Sequence, residues 1–215
     1  FIHLVPRMSN MYHEIAERHE ISDLGQGSRP RPHILAVPCP LHGHIMPFLA
    51  LCDALVDEGN IAISFVTTPR FRPMVERHVA ARTERSTNEG VGEESFRVAV
   101  LGTDGLPDNY VVSVEDLPTY LRQVEKLEGQ LESMVGEMMM SMDKVGSSCG
   151  VTCILSDSHL GWVQDVANKF KLPRVCFLTS STIEFNVIFH QPFLLSQGLL
   201  PFTRGTYFSL QLTNF

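Results

Sequence analysis

The stretch Pro32-His33-Ile34-Leu35-Ala36-Val37-Pro38-Cys39-Pro40-Leu41-His42-Gly43-His44-Ile45 decides the fold. Its segment Ile34-Leu35-Ala36-Val37 is an uninterrupted apolar run bounded by prolines, the pattern of a strand buried on both faces. From Ile45 onward the apolar residues fall at Ile45, Phe48, Leu49, Cys52, Leu55 and Val56, which puts one apolar stripe on a helix. Gly59 stands where such a helix stops. The unit is strand, loop over 38–43, helix.

Outward from it the same unit recurs. The pattern predicts further strands over 61–67, 96–101, 151–155 and 174–178, and helices over 71–81, 159–170 and 181–196. In the 159–170 helix, Trp162, Val163, Val166 and Phe170 form the inward face. Residues 115–144 carry Leu117, Leu121, Val124, Leu127, Leu131, Met134 and Met138 at helical spacing, which reads as one long or broken helix with Gly129 and Gly136 as candidate breaks. Met138, Met139, Met140 and Met142 read as flexible core or helix filling. The polar stretch 82–94 reads as a surface loop. Alternating strands and helices with right-handed crossovers make a doubly wound, Rossmann-like α/β domain with a parallel sheet; if its order is 3-2-1-4-5, strands one and four are neighbours. The domain takes residues 32–201, with tails over 1–31 and 202–215.

Composition narrows the function. Of 215 residues 44% are hydrophobic and 19% charged, with 13 Phe, which is enough to bury a core and excludes a mostly disordered chain. Asp and Glu number 24 against 17 Lys and Arg, a formal charge of −7, so no nucleic acid is expected as a partner. Nowhere do roughly 20 continuous apolar residues occur, so no membrane span is expected. The five cysteines are odd in number and scattered, which speaks against a disulfide scaffold and for a cytoplasmic protein. Cys149 and Cys153 lack a second Cys/His pair, so no metal is expected. The chain opens on Phe1 rather than Met, and its first residues read as upstream sequence or a fragment edge.

In doubly wound sheets ligands collect at the carboxyl ends of the strands, where the strand order reverses. With strands one and four adjacent there, His44 after the first and Asp157 after the fourth face one crevice, and a carboxylate beside an imidazole is a standard device for activating a hydroxyl. Each residue also has a plain structural alternative. His44 could cap or pack at a helix start, and Asp157 could be a helix N-cap. His42 and His44 form an H-x-H pair without a third ligand. The 38–44 turn lacks G-x-G-x-x-G and the second strand ends Val66-Thr67-Thr68 without an acid, against a dehydrogenase. No Walker pattern and no G-x-S-x-G elbow occur either.

Several motifs in order resemble the plant-type UDP-dependent glycosyltransferases of GT-B architecture. Residues 32–40 with Gly43-His44-Ile45-Met46-Pro47 look like that family's first strand and G-H-x-x-P loop. Asp104-Gly105-Leu106-Pro107 resembles its D-G-L-P. Cys153-Ile154-Leu155-Ser156-Asp157 with Trp162, then Phe177-Leu178-Thr179-Ser180-Ser181, resemble the ends of its fourth and fifth strands, and Gly198-Leu199-Leu200-Pro201 a later segment. The resemblance implies that His44 is the general base on an acceptor hydroxyl, that Asp157 orients it, and that Thr179 approaches the donor sugar. It implies sugar transfer from a UDP-sugar to a small-molecule acceptor, such as a flavonoid, terpenoid or other aglycone, with inversion and without a metal or other cofactor. His42 departs from the glutamine common before G-H. No counterpart of the family's donor-binding signature follows residue 201, so the chain is expected to be the N-terminal, acceptor-binding half, inactive alone and engaging UDP-sugar only with the missing domain. The alternative is a stand-alone binding domain of the same fold.

Overall fold

The computed structural model describes residues 31–58, 61–85, 95–102, 116–140 and 150–199. The expectations placed on Gly59, Cys149, Met142, the D-G-L-P stretch and the two terminal tails lie outside them, as do most of the 82–94 loop and Pro201.

Five strands form one sheet: β1 (His33–Val37), β2 (Ala62–Thr67), β3 (Phe96–Val100), β4 (Cys153–Asp157) and β5 (Arg174–Phe177). Their order is β3-β2-β1-β4-β5 and every pairing is parallel. Seven helices connect and follow them among the described residues: α1 (His42–Glu58), α2 (Arg72–Arg85), α3 (Leu117–Glu125), α4 (Glu128–Met140), α5 (Val163–Lys169), α6 (Thr182–Phe189) and α7 (Gln191–Ser196). The doubly wound reading of the first strand therefore carries the whole sheet.

Alternation along β1 divides the core in two. Ile34 and Ala36 pack with Ile63 and Phe65 of β2 against Ile45, Phe48, Leu49 and Cys52 of α1 and Val75 of α2. Leu35 and Val37 face the other way, with Ile154, onto Val124 of α3, Leu131 and Val135 of α4, and Val163 and Val166 of α5. Because successive side chains of a strand point to opposite faces, a strand covered on both sides must be apolar at every position. Met138, Met139, Trp162 and Phe170 pack at the edge of the second cluster.

Several boundaries differ from the sequence reading, each for a physical reason. α1 begins at His42 rather than Ile45, because the Leu41 carbonyl already accepts the His44 and Ile45 amides at 2.9 and 3.0 Å. His42 and Gly43 are exposed, so apolar spacing does not register that turn. α2 runs to Arg85, four residues further than expected, and Arg82 there pairs with Asp57 of α1 at 2.6 Å and with Asp53 at 3.6 Å. The expected 115–144 helix is two helices broken at Lys126 and Leu127, not at either glycine. Their amides fold back onto Gln123 and Val124 carbonyls at 3.2 and 3.0 Å, a tightening that leaves Leu127 only 3% exposed in the core. Gly136 lies inside α4 against the Phe170 ring.

Strand β4 sits two residues later than expected and ends on Asp157, so this residue is the last of the strand and not part of the following loop. The expected 159–170 helix starts only at Val163, since the Asp157 carboxylate captures the His159 amide and turns the chain first. The expected 181–196 helix is split at His190, where Pro192 has no amide hydrogen to continue the ladder. On that split pair Ile183, Phe189 and Phe193 are 77%, 67% and 60% exposed.

Candidate active site

Three strand ends build the site. Val37 of β1 is in register with Ser156 of β4, and Asp157 with Phe177 of β5, so the chain segments that follow these strands emerge side by side. His44 comes from the first turn of α1, Asp157 from the last position of β4, and Thr179 from two residues beyond β5. The loop after β1 is held from the other side by Tyr120 of α3, whose hydroxyl donates to the Pro40 carbonyl at 2.6 Å. Arg174 pins the turn after β4 by donating to Ser156 Oγ at 2.6 Å, to the Asp157 carbonyl at 3.3 Å and to the Leu160 carbonyl at 3.0 Å.

The sequence-predicted residues meet at one carboxylate. His44 Nδ1 lies 2.8 Å from Asp157 Oδ2, with the His44 side chain 20% exposed and that of Asp157 fully buried. Thr179 Oγ1 lies 2.7 Å from His44 Nδ1 and donates to Asp157 Oδ2 at 3.5 Å. The Cys39 amide reaches the same oxygen at 3.5 Å. On the far side, Asp157 Oδ1 accepts from the His159 amide at 2.9 Å and lies 3.0 Å from His159 Nδ1. A buried carboxylate requires donors because water cannot supply them, and here both oxygens have several.

Charge follows the same geometry. Burial pushes the Asp157 carboxyl up, but the hydrogen bonds from the His159 and His44 rings and the His159 amide outweigh it and hold the group well below the usual carboxylate range. Asp157 is therefore an anion at neutral pH. Burial, with the Asp157 charge beside it, pushes the Cys39 thiol far up, so Cys39 stays protonated and is no nucleophile.

His44 Nε2 has no hydrogen-bond partner among the described residues. With the proton held on Nδ1 toward the carboxylate, Nε2 carries the free lone pair and is the atom able to take a proton. His44, Asp157 and His159 have donor-type atoms within 4.8 Å of one another. Both imidazole Nδ1 atoms, however, face carboxylate oxygens, so the group closes on itself as a hydrogen-bonded network. An apolar cleft shares the 38–40 loop with this network; its walls include Val37, Pro40, Leu101, Val124 and Trp162.

His44, Asp157 and Thr179 are thus brought together, whereas His42 is exposed at the start of α1 and takes no part in the network. His159 is the participant that spacing and motif did not reveal. An Asp-x-His directly after an apolar strand was the available signal, since aspartate side chains commonly bond the amide two residues on.

No family profile matches the chain. Among curated proteins it is 29% identical over 179 residues to UDP-glycosyltransferase 85A7 of Arabidopsis thaliana, covering 83% of this chain and 34% of that protein. It is 27% identical over 181 residues to 7-deoxyloganetin glucosyltransferase of Catharanthus roseus, covering 83% and 35%. Among solved structures, Phytolacca americana UGT2 complexed with UDP-2fluoro-glucose and pterostilbene matches with a TM-score of 0.58 at 18% identity, over 80% of this chain and 36% of that one. Arabidopsis thaliana UGT89C1 complexed with UDP-L-rhamnose matches with a TM-score of 0.56 at 22% identity, over 70% and 36%. The sequence relatives of this chain are plant UDP-glycosyltransferases, and its fold matches part of their GT-B architecture. The chain spans about a third of the length of the curated relatives it matches.

Proposed function

We propose that this chain is the N-terminal, acceptor-binding portion of a UDP-glycosyltransferase and that His44 is its general base. The observation that carries the reading is the 2.8 Å approach of His44 Nδ1 to the fully buried Asp157 carboxylate. An anion there holds the Nδ1–H tautomer and stabilises the imidazolium that forms when Nε2 takes a proton. The acceptor's hydroxyl loses that proton as its oxygen attacks the anomeric carbon of a UDP-sugar. The new O–C bond forms on the face opposite the breaking bond to the UDP oxygen, so configuration inverts and UDP departs with the bonding pair.

A hydrophobic acceptor, in the class of a flavonoid, terpenoid or other aglycone, is proposed from the likeness to the glycosyltransferase structure complexed with pterostilbene. Thr179, proposed by resemblance to contact the donor sugar, would do so from the place where its hydroxyl meets His44. No metal enters this reading, because a neutral imidazole supplies the base. UDP-sugar binding is assigned mainly to the portion that the longer relatives carry beyond this third.

The purified 215-residue chain, screened against aglycones by saturation-transfer NMR, is expected to bind acceptors weakly and to transfer no sugar from UDP-glucose. Fused to the remaining two thirds of a relative, it should glucosylate a bound acceptor, and His44→Ala should suppress that transfer. Turnover by the chain alone would contradict the assignment of donor binding to the other portion. Transfer by the fusion that is indifferent to His44→Ala would remove the general-base role.

A further inference from the structure

We propose that His159 is a positioning residue for His44, acting through Asp157; the inference rests on the reading of His44 as the base. Asp157 is completely buried, and its carboxylate torsion belongs to the soft class, broad and roughly two-fold, that staggered rotamers do not fix. The direction in which Oδ2 points at His44 is therefore set by whatever holds Oδ1. His159 holds Oδ1 twice, through its amide at 2.9 Å and its ring Nδ1 at 3.0 Å. Two donors converging on one oxygen from one residue define the plane of the carboxylate, and that plane places Oδ2 2.8 Å from His44 Nδ1.

The amide contact is open to any residue at this position, but the ring contact is not. The His159 ring also stands edge-on to the His44 ring, with centroids 5.0 Å apart and planes at 84°. His44 is thus oriented from two directions, by the oxygen that His159 sets and by the ring itself. Thr179 Oγ1 and the Cys39 amide, both 3.5 Å from Oδ2, are too distant to fix the plane alone. Arg174 touches the Asp157 carbonyl, not the carboxylate, and so pins the backbone instead. The consequence is a favoured tautomer: with Oδ2 aligned at 2.8 Å, and Thr179 Oγ1 also beside Nδ1 at 2.7 Å, His44 keeps its proton on Nδ1 and its lone pair on Nε2.

The tautomer can be read directly from the imidazole nitrogens in long-range proton–nitrogen NMR spectra of the 15N-labelled 215-residue chain, recorded well above the ordinary imidazole value of about 6.5. In the wild type, His44 should show a protonated Nδ1 and an unprotonated Nε2, with well-separated shifts. His159→Ala and His159→Phe both remove the ring donor, the second keeping a ring, and in each the two His44 nitrogen shifts should collapse toward one another as the tautomers average. His159→Asn should restore the separation, because its amide nitrogen offers a donor close to where ring Nδ1 stood. Wild-type separation retained in folded His159→Ala or His159→Phe overturns the proposal, as does failure of His159→Asn to restore it. Should the fusion's sugar transfer ignore His44→Ala while these shifts behave as expected, the general-base reading fails and the positioning relationship stands.

Discussion

Thr179 Oγ1 lies 2.7 Å from His44 Nδ1, although 135 residues separate the two in the chain. The contact exists because β5 is the outer neighbour of β4 and its last residues run alongside Asp157. One hydroxyl therefore reaches both members of the histidine–aspartate pair.

Thr179→Val keeps the shape and removes the hydroxyl. It should lower stability by about 0.5–1.5 kcal/mol, the net worth of a hydrogen bond, and Thr179→Ser should recover most of it. Urea unfolding followed by circular dichroism measures the difference. Equal midpoints for Val and wild type would show that the hydroxyl bonds contribute nothing.

His44→Ala in the fusion should reduce the rate of sugar transfer by about 10²–10⁴, the usual contribution of general-base catalysis. Acceptor affinity should change little, because the interaction removed is made in the transition state rather than in acceptor binding. Initial rates over a range of acceptor concentrations separate the two effects.

Asp157 links stability to acid. Its folded carboxyl is held below its unfolded value, near 3.9, by the His159 and His44 hydrogen bonds that overcome burial. The stability it contributes is therefore fully present above that value and is lost as pH falls through it toward the folded one. Asp157→Asn should be less stable at neutral pH and should show a shallower decline in acid. Unfolding free energies from pH 7 to 3 for both proteins decide this; parallel curves would refute the linkage.

The exposed apolar side chains of α6 and α7 should make the isolated chain self-associate. Large apolar side chains left exposed in such number promote association. The double substitution Phe189→Ser with Phe193→Ser should reduce association in light scattering and dye binding, with little effect on the thermal midpoint, because both rings are mostly exposed already.

Much of the fold was legible because burial on both faces forces a simple pattern. Ile34-Leu35-Ala36-Val37 could be read as a covered central strand, and the stripe from Ile45 to Val56 as the helix over it. Where boundaries were misread, polar contacts had replaced apolar ones. Ser156 and Asp157 extend β4 with no apolar side chain, satisfied instead by Arg174 and two histidines. Lys126 and Leu127 break a helix without glycine, because the tightened turn keeps Leu127 in the core. At the site, His44 and Asp157 could be paired from strand order alone, whereas His159 could not, since its part depends on a turn that the Asp157 side chain itself creates.

By itself the sequence determined the strand–helix alternation, the parallel sheet and the pair of residues that its central crevice would bring face to face, because periodicity is a local property of the chain. Only the tertiary structure decided how that pair is held. The orientation of a buried carboxylate depends on donors that converge from the segments following β1, β4 and β5 at 2.8 to 3.5 Å, and no spacing along the chain encodes where those donors point.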